Sequence, residues 1–409
     1  MTKALGLAFV GIIIGLVGSV VCGCANSNSS DNRDLSAVIK DLSNNNQPFD
    51  LSNVDTTSTD MATGCAGADL MNDANNCGRC GRSCGAGVCA QGRCPLTTIY
   101  ATQPRPVGVA VDATNVYWTT YGDGTTGAVS KGILAGGVSP TVVASSLQYV
   151  GGIAVAGGQI IWAEGGATDG SGKISKSPTG SVSLGTIATG ENYPISVISD
   201  GTNVYWTAYG TSTGNYLDGL IRKGTIAGTT GSTVGTATGL KGAGVLSLQA
   251  TNLFFSQIGT MASSYTDGSI SKVGTAGGAP SAVASNQAYP FGVATDATYV
   301  YWVNTNGAAV YKAPLAGGAA MSLANAQANP AHIAVDATGV YWTNQGTGNS
   351  TTGYTGGSVM FQAHSGSAPI AIAINQDWPV KLVLDGSYVY WCNEGTGTFA
   401  NGTIMKTVK

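Results

Sequence analysis

From about residue 106 onward, apolar residues alternate with small or polar ones in short runs, and a bulky apolar pair follows each run. In "GVAVD" (108–112), Val109 and Val111 share one face, with Gly108 and Ala110 on the other. Period two with one apolar face reads as a half-buried strand. The same positions recur as Ile153/Val155, Val197/Ser199, Leu246/Leu248, Val293/Thr295, Ile333/Val335 and Leu382/Leu384. The bulky pairs are Tyr117-Trp118, Ile161-Trp162, Tyr205-Trp206, Phe254-Phe255, Tyr301-Trp302, Tyr341-Trp342 and Tyr390-Trp391, spaced by 44, 44, 49, 47, 40 and 49 residues. Six residues before the second member stands Asp112, Ala156, Asp200, Gln249, Asp296, Asp336 or Asp385.

Each unit reads as four short strands, here lettered a to d. Strand a is the "GVAVD" run and strand b the "NVYWT" run. Strand c carries a lysine column, Lys131, Lys176, Lys223, Lys272, Lys312 and Lys406, with Phe361 in the sixth copy. That column is expected to be a solvated or snorkelling face. Strand d is "TVVAS" or its equivalents. Repeats of this length with four strands are propeller blades. The last copy ends at "GTIMKTVK" without a strand d, while a lone strand-d-like segment, "LTTIYAT" (96–102), precedes the first copy. Placing that segment in the seventh blade removes two exposed sheet edges. The expectation is all-β: a seven-bladed β-propeller over 96–409, closed by an N-terminal strand in the last blade.

The "VYWT" and "PxGxAVD" residues resemble YWTD-type, NHL-type and virginiamycin B lyase-type propellers. The YWTD aspartate is replaced by Thr120, Glu164, Ala208, Gln257, Asn304, Asn344 and Asn393. The lyase pattern does not match residue by residue, so the resemblance implies architecture and no catalytic role.

Ahead of the repeats, residues 4–21 carry no charge and run into "VVCGC". This resembles the bacterial lipoprotein signal (1–23), with Cys24 as the lipid-bearing residue; a retained transmembrane helix and plain secretion are the alternatives. Residues 24–64 are polar and read as a flexible tether. Ala25 and Asn26 follow Cys24 without an aspartate, which implies the outer membrane or cell surface rather than inner-membrane retention. Residues 65–95 hold Cys65, Cys77, Cys80, Cys84, Cys89 and Cys94. In an exported chain this even set implies disulfides, with pairing undetermined; the rival is zinc on "CGRC". The run resembles the stigma-specific-protein type of Cys/Gly repeat and reads as a stapled spacer. The layout is similar to bacterial surface lipoproteins, whose partner through the anchor is the membrane.

Composition narrows the chemistry. Lys plus Arg is 18 and Asp plus Glu 21, so no nucleic-acid footprint is expected. Two histidines, His332 and His364, exclude a multi-histidine site. No cofactor motif is present, and no metal is expected. The Asp-Gly steps at Asp123, Asp169, Asp218 and Asp267 invite calcium, but hairpin turns explain them. Cys392 reads as a buried thiol.

The b–c loops vary in length, so recognition is placed on their face of the disc. The d–a linkers enter the same face, and Tyr193, Tyr289 and Trp378 precede strand a. They form either a ligand-facing aromatic rim or inter-blade packing. The column equivalent to Gly108 runs Gly152, Ser196, Val245, Gly292, His332 and Lys381. His332 and Lys381, with Asp377 and Trp378, are the candidate polar site. The expected function is a binding or scaffold propeller for a protein, peptide or glycan. The rivals are a structural envelope component and a lyase or hydrolase using His332 as general base, with Lys381.

Overall fold

The computed structural model describes residues 68–228, 231–234, 237–349, 353–396 and 400–409. The signal, Cys24, the tether and Cys65 lie outside them. The repeats form seven four-stranded antiparallel sheets arranged as blades, the first being Pro106–Val111, Asn115–Thr120, Gly127–Ile133 and Thr141–Leu147. The seventh combines Pro379–Leu384, Tyr388–Asn393 and Gly402–Val408 with Thr97–Gln103 from the start of the domain. In that closing pair Thr97 faces Lys406, Thr98 faces Met405, Tyr100 faces Ile404 and Gln103 faces Gly402. Blade 3 departs most from the pattern, since its strand d is Ser232–Thr233 alone within a Gly/Thr-rich stretch. The b–c loop of blade 6 holds an extra hairpin, Thr347–Asn349 with Gly353–Thr355.

The offset seen in sequence has a local cause. One carboxylate oxygen of Asp112 accepts the backbone N–H groups of Thr114 and Asn115, each at 2.8 Å, closing the a–b turn. The other accepts the Tyr117 hydroxyl at 2.6 Å. Asp296–Tyr301 and Asp385–Tyr390 repeat this at 2.6 Å, and Asp200–Tyr205 at 3.1 Å. The second aromatic has its own partner fifteen residues earlier, at the end of strand d of the preceding blade. The indoles of Trp118, Trp302, Trp342 and Trp391 donate to Gln103, Gln287, Gln327 and Gln376 at 2.9–3.1 Å. These four buried tryptophans are thus tied to the neighbouring blade, while Trp162 donates to Glu164 of its own strand at 2.9 Å.

The lysine column is not a solvated face. Lys131 donates to the carbonyl of Thr179 at 2.8 Å, Lys272 to Leu315 at 2.7 Å and Lys406 to Leu134 at 2.7 Å. Lys176 and Lys223 reach Ile226 and Thr275 in the same way. Each of these five ammonium groups satisfies a carbonyl in the c–d turn of the next blade, Lys406 across the seam from blade 7 to blade 1, while Lys312 lies over the Tyr299 ring at 4.5 Å. Buried carbonyls need such partners, and a charged donor makes a stronger bond than a neutral one.

The sixth blade has Phe361 here, and the blade after it has no c–d turn, because its strand d comes from elsewhere in the chain. The Cys-rich segment fills that place. Arg79 lies over the Phe361 ring at 4.2 Å. Arg82, 1% exposed, donates to the carbonyl of Val408 at 3.0 Å. Burial lowers its guanidinium to about 10, with Arg79 as the next cause. Thr407 donates to the carbonyl of Pro95 at 3.3 Å. The segment is therefore a docked seal on the propeller rather than a free spacer. Its cysteines are oxidised: Cys77–Cys89 and Cys84–Cys94 are bonded, and so is Cys80. Pairing consumes the thiolates that zinc would need. Cys392 is a buried free thiol, as expected.

Closure gives a sharp test. Tyr100, on the closing strand, stacks on Trp118 of blade 1 at 4.8 Å and donates to the carbonyl of Ile133 at 3.2 Å. Its ring passes over Gly132, where an added Cβ would stand 2.1 Å from the Tyr100 hydroxyl. Gly132→Ala is expected to cost about 1–3 kcal/mol by overpacking, measured by urea unfolding of the whole chain. A neutral result would place Tyr100 elsewhere.

Candidate functional site

The central channel is lined by the innermost strands. Glycines on strand a let neighbouring blades approach closely: a Cβ on Gly152 would meet the carbonyl of Ile195 at 2.9 Å, and one on Gly292 would meet His332 Cα at 2.7 Å. His332 and Lys381 stand in this same column, and in both blades a side chain occupies the axis. At the b–c loop end, a cavity of about 140 Å³ is lined by strand-a residues, by the residues preceding strand a and by those following strand b.

Two further columns frame the mouth. The residue before strand a adopts a left-handed backbone in each blade: Arg105, Tyr149, Tyr193, Gly242, Tyr289, Asn329 and Trp378, with φ of 47–65°. Its carbonyl accepts the N–H of the residue after strand b, which is Tyr121, Gly165, Tyr209, Ile258, Thr305, Gln345 or Glu394, at 2.8–3.1 Å. This bond fixes both columns at the rim. Aromatic pairs then bridge blades: Tyr121 with Tyr149 at 5.7 Å, Tyr265 with Tyr289 at 5.2 Å and Tyr354 with Trp378 at 5.0 Å. At the seam the bridge is ionic. Arg105 pairs with Glu394 at 3.1 Å, and its guanidinium lies over Tyr121 and Trp378.

The cavity is two-sided. Blades 1 to 4 contribute Val107, Tyr149, Ile195 and Val245, while blades 5 to 7 contribute Tyr289, His332, Gln345, Lys381 and Glu394. Lys381 Nζ lies 2.7 Å from His332 Nε2. Burial, with the Lys381 charge beside it, holds His332 well below its usual range, so the ring is neutral at pH 7. Burial also lowers the Lys381 ammonium to about 8. A charged lysine donates into Nε2, which leaves the ring proton on Nδ1. Of the buried polar atoms without a hydrogen-bond partner among the described residues, His332 Nδ1, the Tyr289 hydroxyl and Gln345 Oε1 are those on cavity-lining side chains, which are only 7%, 2% and 3% exposed. Burial raises the Tyr289 hydroxyl far above its usual range, so it stays protonated. Burial pushes the Glu394 carboxyl up to about 7, against the pull of Arg105.

The structure brings His332, Lys381, Tyr193 and Tyr289 together on one cavity. Trp378 is fully buried and packs on Tyr354 and Arg105 instead, and Asp377 is exposed; neither lines the cavity. For Trp378 the inter-blade packing alternative is what the structure shows. Glu394, Arg105 and Gln345 were not among the expected site residues. The aligned repeats carry the signal one position beyond the fourth residue of "YWTT", where Glu394 is the single charged member. His364 is exposed on strand c's far side, bonded to the carbonyl of Asp336. The Asp-Gly carboxylates hold loops, as Asp123 does with Thr125 and Asp267 with Thr260.

Lys381→Met is expected to raise stability at pH 7, because an isosteric apolar chain replaces a charge with no carboxylate partner among the described residues. The folded pKa lies below the unfolded value, so the wild-type stability penalty is full below about pH 8 and fades as pH rises toward 10.5. Melting temperatures of both forms from pH 6 to 10 should therefore converge. A pH-independent gap would show that Lys381 is not buried as a cation.

No family model matches the chain, and no curated protein matches it. Solved structures do. Virginiamycin B lyase from Staphylococcus aureus, as its selenomethionine derivative, superposes with a TM-score of 0.59 at 15% identity, covering 77% of this chain and 99% of that one. A streptogramin B lyase gives 0.58 at 14%, covering 77% and 98%. A puromycin-hydrolyzing peptidase of Mycobacterium tuberculosis gives 0.54 at 13%, covering 71% and 49%. At these identities the likeness is one of fold, and the fold they share with this chain is the propeller.

Proposed function

We propose that this protein is a binding propeller held at the cell envelope, whose ligand enters the channel at the b–c loop mouth. One observation carries the reading: three buried polar atoms without protein partners, on side chains that line a single cavity. Folded proteins leave few such groups unmatched, and each calls for an explanation. A ligand that completes them explains all three. Concave, mostly apolar pockets with a few convergent polar groups are the ordinary form of a ligand site.

The envelope location draws on the lipoprotein-like sequence ending at Cys24 and on disulfides, which persist in oxidising compartments. The Cys24 lipid would tie the disc to the membrane, and the variable loops would face protein, peptide or glycan partners. A second reading, a lyase, draws on neutral His332 with its unpartnered Nδ1 and on two structural neighbours that are lyases by name.

Incubating the whole chain with small-molecule extract and recording native mass spectra tests the site. The expected result is one retained molecule per chain, lost in Val245→Trp, which fills the cavity from the apolar side. Retention unchanged by Val245→Trp would refute the mouth as the site. Conversion of the molecule, abolished by His332→Ala, would replace binding with catalysis. For the anchor, the mass of the N-terminal peptide should show a lipidated Cys24; an intact N-terminus with an unmodified cysteine would contradict it.

A further inference from the structure

The walls of this cavity also specify a chemical class, on the reading that the channel mouth is the ligand site. We infer that it takes a small carboxylate whose apolar body is about one six-membered ring in size.

Charge is the first argument. Lys381 lines the cavity and makes no ion pair with a carboxylate among the described residues. The carboxylate that also lines it, Glu394, is held by Arg105 at 3.1 Å. Glu394 has Arg105 as its partner, whereas Lys381 has no carboxylate partner among the described residues. Its partner on the protein is a neutral imidazole, which accepts a hydrogen bond but supplies no negative charge. A buried cation without a counter-charge is costly, and one anion removes the cost.

Donor geometry is the second. The Lys381 ammonium retains N–H groups beyond the one given to His332 Nε2. His332 Nδ1 carries a proton in that arrangement, and the Tyr289 hydroxyl is a further donor; both lack partners. The Lys381 ammonium, on a side chain that lines the cavity, suits an acceptor-only group, and the His332 and Tyr289 side chains stand beside it. A single cation matches one negative charge, which favours a carboxylate over a phosphate dianion. On the opposite wall Val107, Ile195 and Val245 are apolar, with Ser196 and the tyrosines Tyr121, Tyr149 and Tyr193 beside them. Size is the third argument. The cavity volume is about 140 Å³, and a dry apolar cavity of about 150 Å³ accommodates benzene.

The pH response is set by the groups around Lys381: His332, Glu394 with Arg105, and the Cys392 thiol, whose Sγ lies 3.7 Å from the Lys381 carbonyl. His332 stays neutral, and burial keeps Cys392 a thiol. Rising pH ionises Glu394 near 7 and discharges Lys381 near 8. Both changes weaken anion binding.

The test is calorimetric titration of the whole chain with benzoate, phenylacetate, benzyl alcohol and N-acetylphenylalanine. Benzoate or phenylacetate should bind one per chain, at least tenfold more tightly than benzyl alcohol, and should weaken between pH 6.5 and 9. Lys381→Met should lose that preference while still taking benzyl alcohol, which also reports that the variant is folded. Lys381→Arg should keep part of it. Binding of N-acetylphenylalanine alone among the acids would keep the carboxylate and assign it to a peptide C-terminus. Equal binding of acids and alcohol, or acid binding untouched by Lys381→Met, would overturn the carboxylate while leaving a ligand site at the mouth. Failure of every probe would remove the proposed class, and retention of some other molecule, lost in Val245→Trp, would then show that the mouth still binds.

Discussion

A ring of sheets is stable as a ring only if its last blade is complete, and here that blade depends on one antiparallel pairing, Thr97–Gln103 with Gly402–Val408. Without it, Gly402–Val408 is an exposed edge, and the closing strand has no neighbour. Every other inter-blade link has a chain connection beside it. The seam keeps the recurring ties, Lys406 on the carbonyl of Leu134 and Trp118 on Gln103, and adds Tyr100 stacked on Trp118 and Arg105 on Glu394. The disulfide-bonded segment leads directly into the closing strand and lays Arg79 and Arg82 over the gap between blades 6 and 7. Its oxidised cysteines hold those arginines in place without a hydrophobic core of its own, the usual solution for a small segment in an oxidising compartment.

The architecture was legible because its determinants are local. The Asp112 turn and the alternating faces of 108–112 are set within a few residues, and they recur in register. Closure was legible from a missing strand d at one end and a spare one at the other. The interactions between blades were not. Lys131 and the carbonyl it meets at Thr179 are 48 residues apart, and no spacing rule within one repeat connects them. The lysine column therefore read as solvated or snorkelling, although five of its members are ties between blades. The Phe361 exception was visible in sequence, but its meaning depends on Arg79, which belongs to another segment.

The site follows the same division. His332 and Lys381 stood out as large residues in a column of small ones, and their approach to 2.7 Å follows from adjacent blades meeting at the axis. Trp378 and Asp377 are neighbours of Lys381 in sequence but not on the cavity: Trp378 is packed between Tyr354 and Arg105, and Asp377 is exposed. Glu394 was overlooked because its column has no shared residue type, with Tyr, Gly, Ile, Thr and Gln among its members. Such variation at a fixed backbone position is what a scaffold with a changeable rim produces. Repetition fixes the frame, and the polar side chains His332, Gln345, Lys381 and Glu394 that line the channel mouth lie in blades 6 and 7.

Native-state hydrogen exchange on the whole chain reads the seam directly, because amides freed by local opening exchange faster than those released only by global unfolding. The account predicts that the bonded amides of Thr97–Gln103 are protected to the same degree as those of Gly402–Val408 and open together with them. Exchange of Thr97–Gln103 at the rate of an unstructured chain, with the strands of blades 1 to 6 still protected, would contradict it.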